Sequence, residues 1–397
     1  MWRWRGSDVL SAAPGRTARW PDGPRAVPGV GAPLLAAALV FLTVRMISIT
    51  VVAALAGPAA VGRRLSSWDG GYYLQIARDG YPQTLAGDIG QGSAVAFFPL
   101  DPALIRVAAA LTPGGLTAGA ILLTLLAGAA AAALIAATAF AALVPRLGPG
   151  TARRAALAVA AMWSAQPASF VLSMAYSEAL FTALAAACLL ALLSERWWLA
   201  GVMALLAGAT RSTGVVLLAC CVAAAWPVWR RRPAALLAVA LAPAGAAAYL
   251  GWAAARYGQL DAWFVAQRQG WGMYWDGGVT TVREVGHYLL HPGQRPLGLA
   301  VIATIAAALV LLAALVRQRP PVVLVGYAAG IVAVGLTTHG VFGSLPRFLL
   351  PAFPLLLPLG PFAARLPAPL CTVLIGLAAV LGGGATGWIS GQTVLPP

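Results

Sequence analysis

Lysine is absent from this chain, and acidic residues are scarce. Among 397 residues there are 11 Asp and Glu, and charged residues make up 9% of the sequence, whereas 60% of the residues are hydrophobic. A typical soluble domain has about 25% charged residues to cover its surface. The composition therefore excludes an ordinary soluble protein and indicates a polytopic membrane protein.

Cysteine and histidine are also few, with four and three residues. The cysteines lie inside apolar runs and form no CxxC pair: Cys188, Cys220, Cys221 and Cys371. We expect buried thiols rather than disulfides or metal ligands. The sequence thus predicts no cofactor and no required metal, although Asp69, Asp101 and Glu178 could hold a metal ion if the fold brought them together.

All 26 basic residues are arginine, and the net charge is +15. Arginines that flank membrane spans on the cytoplasmic side orient a membrane protein. Nucleic-acid binding is disfavoured because the chain has no soluble domain to carry it. Membrane lipids with anionic headgroups are the expected partners of this charge.

Apolar runs long enough to cross a bilayer recur along the sequence, and they predict roughly eleven spans. One further segment, 97–112, begins with FFPLDP and carries Arg106, so its crossing is open. The predicted spans are 33–56, 116–144, 155–173, 177–194, 197–210, 213–229, 234–253, 297–316, 321–339, 347–364 and 368–388.

The distribution of arginine predicts the topology. Residues 1–31 read as a disordered cytoplasmic tail, and 32–397 as one transmembrane domain. If 97–112 does not cross fully, the arginine clusters near 146–154, 230–232 and 317–319 all face the cytoplasm, as the positive-inside rule favours. Residues 57–96 and 254–296 then form two long extracytoplasmic loops, which we call the first loop and the second loop.

In this topology several polar residues reach the extracytoplasmic end of the bundle. Charged groups near or inside spans are costly and usually functional. Acids beside arginines in a partly dry cavity are typical of an enzyme that handles a lipid phosphate. These residues are Asp69, Asp101, Glu178, Arg211, His339 and Arg347.

The first loop contains the stretch SSWDGGYYLQIARDGYP, residues 66–82. Ser66 or Ser67 could cap a short helix, with Asp69 in its first turn stabilising the helix dipole. Trp68 and Tyr73 could belong to an aromatic belt at the headgroup level. A structural interpretation and a functional one are equally open for this stretch.

Three later motifs have the same ambiguity. Glu178 begins an apolar helix in AYSEALF and could act only through the helix dipole. Arg211 in ATRSTG and Arg347 in LPRFLLPAFP could snorkel to the interface. Their planar guanidinium groups could equally bind phosphate through two hydrogen bonds.

Taken together, the motifs resemble the PIG-V family of mannosyltransferases. The first loop of that family is similar to Trp68-Asp69, Tyr73, Ile76-Ala77 and Gly80-Tyr81, followed by Phe97-Phe98-Pro99-Leu100 and Pro102. Its further motifs are similar to Tyr176 through Phe181, Thr210-Arg211-Ser212 with Gly214, and Arg347-Phe348 with Pro351 and Pro354. The resemblance runs from about 34 to 366. Asp101 departs from it, because an aromatic residue is expected between Leu100 and Pro102.

The resemblance implies an all-α, GT-C-type glycosyltransferase of about 11–12 transmembrane helices, with its active site on the extracytoplasmic face of the cell membrane. It implies inverting transfer of mannose from a polyprenyl-phosphate donor to a glycolipid hydroxyl. That acceptor is a GPI-anchor precursor in eukaryotic relatives, whereas a lysine-free chain suggests a bacterium and another mannolipid. An accessory membrane subunit, as eukaryotic relatives can have, is left open.

In this interpretation Asp69 is the general base. Arg211 and Arg347 hold the phosphate, Glu178 orients the acceptor or an arginine, and Trp68 and Tyr73 pack on sugar faces. Asp101 is a second candidate acid in the substrate site. Two alternatives remain: a transporter or flippase for an isoprenoid-linked or anionic solute, and a glycan polymerase or ligase with a polyprenyl-diphosphate donor.

Overall fold

The computed structural model describes residues 31–85, 92–291 and 296–389. Regular structure in these ranges is helical, and β pairing is limited to one isolated bridge between Trp275 and Thr338. Residues 1–30 of the predicted tail lie outside the described residues.

The α-helices, in chain order, are α1 (Gly31–Ala56), α2 (Val61–Leu65), α3 (Asp69–Asp79), α4 (Leu100–Ala110), α5 (Gly115–Ala165), α6 (Glu178–Leu193), α7 (Trp197–Gly208), α8 (Val215–Ala225), α9 (Ala235–Leu241), α10 (Ala244–Tyr257), α11 (Ala262–Val265), α12 (Val279–Leu290), α13 (Pro296–Gln318), α14 (Val322–Thr337), α15 (Leu345–Phe348), α16 (Gly360–Ala363) and α17 (Ala368–Ile389). Short 3₁₀ segments connect several of them: Pro58–Ala60, Ala94–Ala96, Pro167–Ser173, Ser212–Gly214, Phe342–Ser344 and Phe353–Leu359. A π-helical turn occupies Ala266–Gly270.

Within the described ranges, five helical stretches are long and apolar enough to cross a membrane: Pro33–Ala56, Gly115–Ala165, Ala235–Tyr257, Gly298–Gln318 and Ala368–Ala385. Two bent pairs raise the number to as many as seven, with bends of 103° before α6 and 68° after α15. Shorter apolar helices lie at Trp197–Gly208, Ser212–Ala225 and Val322–Thr337. The polytopic all-α prediction is confirmed, while several predicted spans are shorter or more broken than a straight crossing.

The region predicted as a straight span at 347–364 is the clearest difference. It consists of α15, the 3₁₀ segment Phe353–Leu359 and α16. Four prolines, Pro351, Pro354, Pro358 and Pro361, fall within it. Proline lacks the amide hydrogen that an α-helix needs and clashes with the preceding turn, so the apolar run does not continue as one helix.

Helix α5 contains the predicted span 116–144 and the first part of the predicted span 155–173. Its 51 residues would extend about 76 Å, more than twice the hydrocarbon thickness. The helix breaks at Gly148, whose φ of 69° and ψ of 162° are not helical, between Pro145 and Pro149. Glycine adopts this positive φ without a Cβ clash, and the break separates the two crossings.

The segment left open at 97–112 contains α4. Its 11 residues extend only about 16 Å, which is too short to cross a bilayer. The helix lies beside α3, because the Arg106 Nε donates to the Ala77 carbonyl at 2.8 Å. Asp101, Pro102 and Ile105 form its buried face. The two short helices α3 and α4 thus pack together beside α5, between the first span and the second.

Arg45 holds the bend before α6 in place. This fully buried side chain of α1 donates to the carbonyl oxygens of Ser164, at 2.6 Å, and of Ser169. It also donates to the hydroxyls of Ser169 and Ser173, at 3.0 and 3.3 Å. Arg45 therefore satisfies backbone groups that the end of α5 leaves without helical partners.

Candidate active site

Four predicted site residues converge from four separate elements. Asp69 is the first residue of α3, Glu178 begins α6, Arg211 precedes the turn Ser212–Gly214, and Arg347 lies in α15. The Arg347 Nη1 lies 2.6 Å from the Asp69 Oδ2. The Arg211 Nη1 lies 2.9 Å from the Glu178 Oε1. Two acid–arginine pairs therefore lie side by side. The sequence predicted that these residues share one face of the membrane, but it did not predict the pairs.

The two pairs form one buried network. The Arg347 Nη1 lies 3.8 Å from the Glu178 Oε1 and links them. The Glu178 side chain is 1% exposed and that of Arg347 7%, whereas Asp69 and Arg211 are 12% and 14% exposed. Burying ion pairs gains little stability because the desolvation cost offsets the attraction. A network of this kind is therefore a candidate for function.

Asp69 is placed by backbone geometry rather than by the predicted serine cap. The N-cap of α3 is Trp68, and no side chain caps the helix. The Ser66 and Ser67 hydroxyls instead donate to carbonyls of the preceding turn, those of Gly62 and Arg64. The prediction of a serine cap is thus wrong, while Asp69 does lie in the first turn.

Trp68 carries an unusual backbone conformation. Its φ of 53° and ψ of −119° lie in a region that residues with a Cβ rarely adopt. Strain of this kind is concentrated at functional sites. The side chain is half-buried against the core. Trp68 therefore turns the chain so that the Asp69 carboxylate meets Arg347.

Tyr73 contacts the network through Ser177. Its ring is buried, and its hydroxyl lies 2.6 Å from the Ser177 Oγ. The same Ser177 Oγ accepts a hydrogen bond from the Arg211 Nη1 at 3.1 Å. A chain of contacts thus runs from α3 through the residue before Glu178 to Arg211. Tyr73 lies within the protein packing, where the sequence suggested either a headgroup belt or a sugar-stacking role.

The neighbouring aromatic rings pack on one another. Tyr72 stacks on Phe97 with centroids 5.3 Å apart, and Trp271 of the second loop meets the Tyr72 ring edge-on at 5.1 Å. The Trp271 Nε1 donates to the Ser93 carbonyl at 3.0 Å. The second loop therefore closes over the first loop beside Asp69.

Asp101 lies next to the network without an ion pair in it. Burial and, to a smaller extent, the nearby Glu178 carboxylate raise the pKa of this carboxyl to about 7, and Arg211 partly opposes them. Those two neighbours place Asp101 on the Glu178 side of the site. Asp101, the residue of α4 that departs from the PIG-V pattern, therefore lies beside the site.

Sequence reasoning missed two aromatic residues that hold the arginines. The guanidinium carbons of Arg211 and Arg347 lie 5.3 and 5.2 Å from the centre of the Phe348 ring. The Arg347 carbon also lies 5.2 Å from the centre of the Tyr176 ring. Both aromatic residues belong to the motifs quoted above. Their closeness in sequence to a charged residue was the signal that could have predicted a cation–π contact.

Several buried polar atoms of the site lack a hydrogen-bond partner: Glu178 Oε2, Arg347 Nε and Tyr176 Oη. Buried polar groups are nearly always paired, so each unpaired one requires an explanation. Of these atoms, Arg347 Nε and Tyr176 Oη can donate to an anionic ligand, whereas Glu178 Oε2 can only accept a hydrogen bond. No group of three His, Cys, Asp or Glu side chains suited to a metal ion occurs in the described ranges, so Asp69, Asp101 and Glu178 do not converge as a metal site there.

His339 belongs to a different cluster. Its Nδ1 lies 2.5 Å from the Thr280 Oγ1 and 3.7 Å from the Asp276 Oδ2. Asp276 also accepts hydrogen bonds from the backbone amides of Gly278 and Thr280, both at 2.8 Å, at the start of α12. These contacts fasten the second loop to the end of α14 and do not enter the acid–arginine network.

Comparison with known proteins relates the chain to a family and to a fold. Residues 36–226 match the family described as Mannosyltransferase (PIG-V), which confirms the resemblance for the motifs from Trp68 to Gly214. Among curated proteins, none matches the chain significantly.

Solved structures give the fold. The crystal structure of ArnT from Cupriavidus metallidurans bound to undecaprenyl phosphate is similar with a TM-score of 0.50 and 17% sequence identity, over 83% of this chain and 60% of that chain. The apo state of the same protein gives 0.47 and 17%, over 77% and 56%. This chain therefore spans about 60% of the length of ArnT. The likeness to the first structure confirms a polytopic GT-C-type membrane fold.

Proposed function

We propose, from the match of residues 36–226 to the mannosyltransferase (PIG-V) family, that this membrane protein is a glycosyltransferase. Its donor is a polyprenyl-phosphate-linked mannose, and its acceptor is a glycolipid hydroxyl. Residues 32–397 form the catalytic domain, and the active site faces the extracytoplasmic side. The observation that carries the proposal is the buried pairing of Asp69 with Arg347 beside Glu178 and Arg211.

The donor class is supported by two independent features. ArnT, whose fold is similar, was crystallised with undecaprenyl phosphate. In this chain, the buried Arg347 and the partly buried Arg211 share the Phe348 ring and the Glu178 carboxylate. Guanidinium groups bind phosphate oxygens with paired, charge-assisted hydrogen bonds. A single anionic phosphate matches this arrangement.

In the proposed reaction the acceptor oxygen attacks the anomeric carbon from the face opposite the phosphate. The acceptor proton moves to the Asp69 carboxylate, the new C–O bond forms, and the bond between the anomeric carbon and the phosphate oxygen breaks with inversion. The leaving phosphate keeps the electron pair. It is already an anion, so no general acid is needed, and one carboxylate suffices.

Arg347 has two roles in this scheme. In the ligand-free site it binds the Asp69 carboxylate at 2.6 Å. The incoming phosphate competes for the same guanidinium group, and Asp69 then becomes available to accept a proton. Arg211 and Arg347 stabilise the charge that grows on the phosphate, and loss of one such contact costs about 3 kcal/mol, on the order of a hundredfold in rate.

The remaining site residues have supporting roles. Glu178 holds both guanidinium groups in position. Asp101 lies on the Glu178 side and provides a second acid that can contact the acceptor. Trp68 is the half-buried ring adjacent to Asp69 and packs on a sugar face, whereas Tyr73 acts on Arg211 through Ser177.

The first experiment measures transfer of labelled mannose from polyprenyl-phosphate mannose to endogenous lipids in membranes that contain matched amounts of protein. Wild type is compared with Asp69→Asn, which preserves size but cannot accept a proton. Asp79→Asn is the matched control, because Asp79 is exposed at the other end of the same helix α3. We expect transfer by wild type and by Asp79→Asn, and a loss of at least a hundredfold in Asp69→Asn.

Each other result has a defined meaning. If Asp69→Asn transfers mannose as fast as the control, Asp69 is not the base, and Asp101 becomes the next candidate. If wild type transfers from a polyprenyl-diphosphate donor instead, the chain is a glycan polymerase or ligase. If wild type transfers no sugar from either donor but moves the intact lipid across the bilayer, the chain is a flippase.

A further inference from the structure

Tyr176 is a buried side chain of the site whose polar group is unused. It is 1% exposed, and the Arg347 guanidinium lies over its ring at 5.2 Å. Its hydroxyl has no hydrogen-bond partner of normal geometry. The Asp69 backbone amide and carboxylate are its polar neighbours. The Tyr176 side chain therefore lies close to both members of the Asp69–Arg347 pair.

The ring is held without help from the hydroxyl. The guanidinium of Arg347 covers it, and the Tyr176 amide donates to the Met174 carbonyl at 2.8 Å. The two neighbouring hydroxyls, those of Tyr73 and Ser177, are paired with each other. A phenylalanine would fill the same space in the ligand-free protein, so packing alone does not explain the oxygen atom.

An unpaired buried hydroxyl weakens the folded state because it loses its hydrogen bond to water. The hydroxyl can accept a weak hydrogen bond from the Asp69 amide, which leaves its own hydrogen without an acceptor. The missing partner must be a hydrogen-bond acceptor, and its position beside Arg347 favours an anionic one.

We propose that the Tyr176 hydroxyl donates a hydrogen bond to a phosphate oxygen of the lipid-linked sugar and of the lipid phosphate that leaves. The inference rests on the proposed function and adds a neutral third contact to the two arginines. Because negative charge grows on the phosphate as the glycosidic bond breaks, this contact strengthens in the transition state.

The test compares Tyr176→Phe with Tyr327→Phe. Tyr327 of α14 is also fully buried with an unpaired hydroxyl. It lies in the first half of α14, beside Cys220, and its ring packs near Phe353 rather than on a residue of the acid–arginine network. Both substitutions remove one unpaired buried oxygen, so they match in their structural effect and differ in their distance from the site.

Three quantities are measured for purified protein in detergent: the unfolding temperature alone, its increase with undecaprenyl phosphate relative to undecaprenol, and kcat for mannose transfer. We expect both variants to unfold at the wild-type temperature or about 1–3 °C above it. Tyr176→Phe alone should bind undecaprenyl phosphate about tenfold more weakly and lose about 10- to 100-fold in kcat. Tyr327→Phe should match wild type in binding and transfer.

Contrary results are distinct from one another. If Tyr176→Phe binds undecaprenyl phosphate as tightly as wild type, the hydroxyl does not contact phosphate, even if kcat falls through an effect on Asp69. If Tyr176→Phe unfolds several degrees below wild type, the hydroxyl is structural and the inference is wrong. If wild type itself gains no stability from undecaprenyl phosphate and transfers no mannose, the proposed function fails, and the inference fails with it.

Discussion

At the scale of single residues, Asp101 predicts how the stability of the protein depends on pH. Its carboxyl has a pKa near 7 in the folded protein, against an ordinary value of 3.8, because burial and Glu178 disfavour the ionised form. Between these values the folded state holds one more proton than the unfolded state, so stability falls as pH rises from about 4 to 7 and then levels off. Asp101→Asn stays neutral and should lose this contribution.

The measurement is the unfolding temperature at pH 5 and at pH 8. The unfolding temperature of Asp101→Asn minus that of wild type should be more positive at pH 8 than at pH 5. Asp79→Asn, exposed at the end of α3, should show no such difference. An Asp101→Asn curve parallel to wild type would mean that Asp101 is ionised throughout this range.

Phe348 gives a second prediction at this scale. Its ring contacts both site arginines, so Phe348→Leu removes two cation–π contacts and keeps an apolar side chain. We expect the apparent KM for the donor to rise about tenfold, and Phe348→Tyr to stay near wild type. The control is Phe362→Leu, because Phe362 packs with Arg365 at 5.9 Å on an exposed part of α16. Equal KM values for the two leucine variants would show that the Phe348 ring does not position the arginines.

The sequence identified Asp69, Glu178, Arg211 and Arg347 because charges in an apolar chain must have a reason, and because the motifs resemble a known family. It could not pair them. Asp69 and Arg347 are 278 residues apart, and no local pattern encodes their contact. For the same reason the sequence did not indicate that Tyr176 and Phe348 contact the two arginines.

At the scale of helices, close packing of α7 against α10 depends on one glycine. A Cβ at Gly245 would clash with the Leu205 carbonyl, whereas a Cβ at Gly251 of the same helix would meet nothing within 4 Å. Alanine is favoured over glycine in a helix by about 1 kcal/mol. Gly251→Ala should therefore leave the unfolding temperature unchanged or raise it.

Gly245→Ala should lower the unfolding temperature by several degrees, because overpacking costs about 1–3 kcal/mol and α7 must move. Thermal unfolding in detergent compares the two variants directly. Similar unfolding temperatures for the two alanine variants would contradict the close approach of α7 and α10.

The bend between α5 and α6 was not predictable from hydropathy. Residues 155–173 and 177–194 read as two ordinary spans, yet the chain leaves α5 at Ala165 and turns by 103° before α6. Hydropathy detects burial but not the path of a buried segment.

At the scale of the whole molecule, the predicted topology can be tested by labelling. Thr84 and Leu260 are exposed in the first and second loops, and Arg231 and Arg319 are exposed at the predicted cytoplasmic ends. Single cysteines at Thr84 and Leu260 should react with a membrane-impermeant maleimide in intact cells. Cysteines at Arg231 and Arg319 should react only after permeabilisation.

The native cysteines set the background of this experiment. Cys188, Cys220 and Cys221 are buried, while Cys371 is partly exposed, so Cys371→Ser is the starting protein. Labelling of the Arg319 site in intact cells would invert the topology and place the active site at the cytoplasmic face.

The all-helical membrane fold was predictable because apolar composition constrains it strongly. The number of straight crossings was not predictable, since prolines and glycines divide the apolar runs.

The contact between Asp69 and Arg347 has a consequence for the kinetics of the proposed transfer reaction. While no phosphate is bound, the carboxylate is occupied by the guanidinium group, and an acceptor that arrives first finds no free base. Productive turnover then follows a compulsory order, with the lipid-linked sugar before the acceptor. In initial-rate experiments an inert acceptor analogue should therefore inhibit uncompetitively with respect to the donor, as expected for a second substrate that joins only the donor complex.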